Sequence, residues 1–166
     1  MVYYRHGQPV NDVFRALQHS AFSMWVVSSD SIWAYPMILT LHTVGLAIVV
    51  GAAIVIDLRL LGVGHQIPLS EMNRAFRIFW LGFLINVLSG LALFVSEAAD
   101  KAAQPVFLIK LTFIAVGIIT TTRIRRVVFR PDEPRDRVPP GARALAAASL
   151  ALWAGAIVAG RLMAYL

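Results

Sequence analysis

Four stretches of this chain are each apolar for long enough to cross a hydrocarbon layer, and that leaves the backbone one choice. A layer of about 30 Å takes roughly 20 residues, at a rise of about 1.5 Å each. Within it every peptide group must be paired inside the segment, so each stretch is expected to be a helix. They fall at about residues 32–56, 78–96, 105–122 and 144–165. Composition agrees: over 166 residues the chain is 58% hydrophobic and 14% charged, with a mean hydropathy of +0.71. An ordinary soluble domain carries far more charge. The expected fold is therefore all-α, an integral membrane four-helix bundle over residues 32–166, preceded at residues 1–31 by a tail with a short amphipathic surface helix.

The first span has the clearest limits. Trp33 and Tyr35 stand at one end, as an interfacial aromatic belt requires, and Asp57 and Arg59 form a charged exit that anchors the other. Before it, NDVFRALQHSAFSMWVV at residues 11–27 offers Asn11 or Asp12 as a helix cap and sets Phe14, Leu17, Ala21 and Trp25 on one face. That pattern predicts an interfacial helix lying on the outer surface. The opening MVYYRHGQPV puts no apolar segment behind a basic start, so no cleaved secretory signal is expected. The chain has no cysteine, which removes disulfides, thiolate metal sites and cysteine nucleophiles together.

Orientation follows from arginine. The third connection, RIRRVVFRPDEPRDRVPPGAR, carries Arg123, Arg125, Arg126, Arg130, Arg135, Arg137 and Arg143 against Asp132, Glu133 and Asp136. The first loop is basic too, through Arg59, Arg74 and Arg77. By the positive-inside rule both loops are cytoplasmic, and both termini face the periplasm or its equivalent. The formal net charge of +6 is then topology and contact with membrane lipid, and it does not point to nucleic acid.

Polar groups inside the spans carry the functional question. His42 sits about 13 Å inward from Trp33, and Asn86, with Ser89 and Gly90 just above it, reaches a similar depth on the second span. Lys110 lies about 8 Å inside Pro105, and Arg161 one turn inside Tyr165. All four belong to the middle or outer half of the bundle. The inner half offers only Ser149 and the threonines at positions 120 to 122. Gathered inward, the outer groups would form a polar pocket opening to the periplasmic side.

Two readings of His42 stand side by side. Gly45, three residues on, leaves room beside the imidazole for something flat or for a neighbouring backbone. A neutral imidazole nitrogen can ligate haem iron or the magnesium of a chlorophyll, with His42 as the metal ligand, Gly45 and Asn86 beside it, and Lys110 and Arg161 pairing with propionates. The plainer reading satisfies His42 by a hydrogen bond to Asn86 or a threonine, and leaves Lys110 and Arg161 to snorkel or to pair with Glu97 and Asp100. His19 and His65 read as solvated.

SIWAYPMILTLHTVGLAIVVGAAIVIDLRLLG at residues 31–62, then WLGFLINVLSGLALF and PVFLIKLTFIAVG, resemble a family of uncharacterised bacterial four-helix inner-membrane proteins. The distinctive pieces are Trp33, Tyr35, Pro36, His42, Gly45, Gly51, Asp57, Leu58, Arg59, Gly62, Gly90 and Lys110. More remotely, the layout is similar to four-helix haem proteins of the cytochrome b561 type and to copper-resistance D-type membrane proteins. Those haem sites use histidines on facing helices. Here a second ligand would come from His19, a non-histidine group or a partner, or the position would stay open. Three classes follow: a haem b or other tetrapyrrole protein for electron transfer through His42; a non-catalytic structural or assembly subunit of a membrane complex, or a homo-oligomer; and a solute or proton pathway past Asn86, His42 and Lys110. The first is preferred, narrowly over the second. No acid–base or nucleophile constellation marks the chain as an enzyme by itself.

Overall fold

The computed structural model describes residues 9–129, 138–163 and 165. Arg5 and the middle of the third connection, with Arg130, Arg135 and Arg137, lie outside the described residues. Within them the chain is all-α and has no strand. Its helices are α1 (Pro9–Gln18), α2 (Ala21–Ser28), α3 (Tyr35–Leu61), α4 (Met72–Ser96), α5 (Ala98–Ala102), α6 (Pro105–Val128) and α7 (Ala142–Leu162). A short 3-10 turn, Leu69–Glu71, leads into α4. Helices α3, α4, α6 and α7 are each long and apolar enough to cross a membrane.

All four spanning helices run past their expected limits at the end that carries the arginines, which we call the arginine end, α7 by the least, starting at Ala142 instead of 144. There α3 reaches Leu61 instead of residue 56, α4 starts at Met72 instead of 78, and α6 reaches Val128 instead of 122. The arginines ride on continuing helix, and Arg125 and Arg126 occupy the last turn of α6, where a helix terminus favours cations. At the opposite, terminal end, α3 begins only at Tyr35. Ser31–Ala34 form a turn in which Ser31 Oγ accepts the Trp33 amide at 3.2 Å. Pro36 follows in the first helical turn, where its missing N–H forfeits no bond. Gly62, at φ +107°, stops α3 in a left-handed cap, with the Val63 amide returning to Leu58 O at 2.9 Å. Helix α7 ends at Leu162, short of the expected residue 165.

The expected single surface helix is two. Its break falls at His19–Ser20, where Ser20 Oγ accepts the Ser23 amide at 3.2 Å and caps α2. Because α1 already starts at Pro9, neither Asn11 nor Asp12 is its cap; Asp12 instead places its charge in the first turn, where the helix dipole favours it. The pair packs over the terminal end of the bundle. Phe14 meets Phe94 edge to face at 5.9 Å, Gln18 accepts the Ala99 amide at 3.1 Å, and Ser23 Oγ donates to Ser96 O at 3.4 Å.

Around the bundle the helices follow the order α4, α3, α7, α6. Helix α3 packs along both α4 and α7, and α7 along α6, whereas α4 and α6 have almost no backbone contact. Side chains alone bridge that fourth side, with Phe94 stacked on Phe107 at 5.2 Å. Two apolar clusters fill the interior. One, at the arginine end, joins Ile56, Leu60, Met72, Phe76, Ile124 and Ala146. The other, at mid-depth, joins Val49, Ala52, Ala53, Phe79, Trp153 and Ala156. The expected charged anchors Asp57 and Arg59 are both buried. Arg59 turns back along its own helix end, and its Nε donates to Ile67 O at 2.5 Å, tying down the loop after Gly62.

Candidate functional site

His42 and Asn86 form a reciprocal clasp between α3 and α4. His42 Nδ1 lies 3.0 Å from the Asn86 carbonyl oxygen, and Asn86 Nδ2 donates to the His42 carbonyl at 2.9 Å. A carbonyl can only accept, so Nδ1 carries the proton, and in the neutral ring Nε2 keeps the lone pair. Ser89 Oγ stands 3.3 Å from the same Nδ1 while donating to Ile85 O at 2.7 Å. Among the described residues Nε2 makes no hydrogen bond.

Two glycines allow this approach. A Cβ on Gly45 would lie 2.8 Å from the Asn86 amide nitrogen, and one on Gly90 would lie 3.0 Å from His42 Cε1. Of the two occupants expected beside Gly45, the neighbouring backbone takes the space. At Gly90 the missing side chain lets the imidazole lie against α4.

Open space borders the imidazole. Two adjoining pockets of about 330 and 220 Å³ share His42, Gly90, Phe94, Phe107 and Lys110. The larger lies in the cleft between α4 and α6, with Phe83, Asn86, Leu111 and Ile114 in its walls. The smaller runs toward the terminal end, past Tyr35, Glu97, Lys101, Gly160 and Met163. Lys110 is half-buried, its stem crossing the bare backbone of Gly160, and it forms no ion pair among the described residues. Glu97 is taken by Lys101 at 3.3 Å, and Asp100 by Gln18 at 3.3 Å.

The structure thus brings His42, Asn86 and Lys110 together and seats Gly45 behind them in the helix contact. Arg161 is elsewhere. It is exposed, donates to Tyr165 Oη at 3.0 Å with its guanidinium 5.3 Å from that ring, and lines neither pocket. The reason is angular: Gly160 faces Lys110, so the next residue on α7 turns outward. His19 and His65 are exposed, and among the described residues no three His, Asp or Glu side chains gather as a metal site.

One group escaped the sequence reading. Asp57 is only 1% exposed, on a buried stripe with Val49, Ala53 and Leu60, and Ser149 of α7 stands beside its carboxyl. The spacing of that stripe, 49, 53, 57, 60, is the signal that could have found it.

Fold and site define an all-α protein whose four long apolar helices fit a multi-pass membrane protein with a histidine at mid-bundle. No protein-family model, curated protein or solved structure matches the chain.

Proposed function

We propose that the protein is a bacterial inner-membrane protein that binds haem b or another tetrapyrrole in the cleft between α4 and α6, with His42 as the residue that would hold its metal, for electron transfer. One observation carries this reading: the Nδ1 proton is held by the Asn86 carbonyl, and Nε2 is left without a protein partner on a residue that lines both pockets. Ligating histidines are commonly oriented this way, with the second ring nitrogen held by a carbonyl. Phe94 and Phe107 offer flat apolar walls, and Lys110 supplies a single cation suited to an anionic substituent. When bound, a haem would supply one-electron chemistry. The chain's own part is to hold the imidazole in one tautomer, exclude water from its free nitrogen and balance negative charge at the terminal end.

The family resemblance belongs to the same proposal. So does the orientation, with both termini periplasmic, which rests on Arg59, Arg74, Arg77, Arg123, Arg125, Arg126 and Arg143 at one end of the bundle. A reporter active only in the periplasm is expected to work after Leu166 and to fail near Asp136; the reverse pattern refutes the orientation.

The test of function is an absorption spectrum of protein purified from haem-replete cells. A porphyrin band is expected, and His42→Ala should abolish or shift it while the helical content remains. A colourless wild type defeats the reading for the isolated chain. The second reading, a non-catalytic subunit of a membrane complex, draws on the poorly covered α4–α6 side, which a partner helix would complete. Co-purification of a stoichiometric partner through that face, lost on Leu111→Arg, would favour it.

A further inference from the structure

Serine and threonine hydroxyls on the four spanning helices behave alike, with two exceptions. Thr40, Thr43, Ser89, Ser96, Thr112, Thr120 and Thr122 each donate to the carbonyl one turn earlier on their own helix. That is the usual way to satisfy a hydroxyl without water. Thr121 and Ser149 do not. Their oxygens are buried without a hydrogen-bond partner, and two other orphaned atoms accompany them, Asp57 Oδ2 and Trp153 Nε1.

These groups belong to one level of the bundle. The α6–α7 contact pairs Gly117 with Trp153, since a Cβ on Gly117 would lie 3.3 Å from the indole. One turn along α6 is Thr121 and one turn back along α7 is Ser149, so helix geometry sets both residues at the same level on the facing sides of the two helices. Asp57 comes to Ser149 from α3, close enough that a turn of the serine hydroxyl lets it donate to one carboxylate oxygen, while neither group has a partner in the geometry found. Exposure is 1% for Asp57, 1% for Ser149, 2% for Thr121 and 4% for Trp153. The arginine-end cluster seals this level from one side and the mid-depth cluster from the other.

No protein cation balances the carboxylate. Arg59, two residues on, is committed to Ile67 O. On the packed neighbours, Arg74 and Arg77 of α4, Arg123, Arg125 and Arg126 of α6, and Arg143 of α7 are exposed, and among the described residues Asp57 has no ion pair. A buried carboxylate with an unpaired oxygen is costly unless a positive charge joins it. The donor set available is one carboxylate and two hydroxyl oxygens, all hard.

We propose that Asp57, Ser149 and Thr121 bind a small monovalent cation, a proton or a sodium ion, in the interior of the bundle. The site is separate from the His42 pocket, and a colourless protein would leave it standing. Binding to the folded state alone raises stability as the cation becomes more abundant.

The experiment is thermal unfolding of the full chain in lipid nanodiscs, wild type beside Asp57→Asn. Sodium chloride is exchanged against choline chloride at constant ionic strength and alkaline pH; pH is then varied without sodium. If the cation is sodium, the wild-type midpoint rises with sodium and saturates. If it is a proton, the midpoint rises in a step as pH falls, and sodium has no effect. Asp57→Asn should be flat in whichever titration moves the wild type. Parallel curves for the two proteins in both titrations overturn the proposal. Should Asp57→Asn fail to fold, Ser149→Ala with Thr121→Val keeps the charge and removes two ligands. Its half-saturation point is expected to weaken by about tenfold, the size of a lost hydrogen bond to a charged group. An unmoved point refutes the site.

Discussion

Around His42 polar groups are paired with backbone and an opening is left beside them; around Asp57 polar groups are sealed in and left unpaired. His42 and Asn86 spend their side chains on each other's carbonyls, and the one free nitrogen borders space. Asp57, Thr121, Ser149 and Trp153 keep four polar atoms unanswered where almost no solvent reaches. The first arrangement holds two helices in register and still presents a ligand atom. The second leaves a carboxylate oxygen without a partner inside the fold. Depth in the membrane does not separate a structural polar residue from a functional one; the fate of each donor and acceptor does.

The comparison can be broken first at the clasp. Gly45→Leu forces a side chain into the Asn86 backbone and should lower stability by about 3 kcal/mol, the upper part of the usual overpacking range. Gly51→Leu, where a Cβ meets nothing within 4 Å, should change it by less than about 0.5 kcal/mol. Reversible unfolding in detergent measures both, and equal losses would mean the helices do not meet at Gly45. A smaller effect sharpens the contrast between hydroxyls. Ser89→Ala should cost about 0.6 kcal/mol under all ionic conditions, as an intramembrane hydrogen bond does. Ser149→Ala should cost an amount that changes with the cation bound at Asp57, larger when the site is saturated than when it is depleted. The smallest effect is at Arg161. Arg161→Met removes a contact with Tyr165 alone and should leave both stability and any absorption band within about 0.5 kcal/mol and unchanged in position, respectively. A shifted band would return Arg161 to the pocket.

Much of this was legible in the chain. Apolar length named the four helices, and counting residues inward set His42 level with Asn86, Ser89 and Gly90, which is where the structure joins them. Depth alone also put Lys110 near the same pocket. It failed for Arg161, because depth carries no angle and the pair Gly160–Arg161 straddles the boundary between the inward and outward faces of α7. Asp57 was misread for a related reason. A carboxylate two residues before an arginine looks like a helix end meeting water, yet α3 runs on to Leu61 and carries Asp57 on its buried face. The division of one surface helix into α1 and α2 was hidden because Ser20 can sit within a helix or cap one, and only its bond to Ser23 decides.

The helices pair as α3 with α4 and α6 with α7, and the α3–α7 seam joins the two hairpins. That seam is the last to form as the chain emerges, because α7 is the final span to be synthesised. Until then Asp57 stands without Ser149 beside it. The enclosure of its carboxyl is therefore a property of the completed chain, set by a helix that lies some ninety residues further along the sequence.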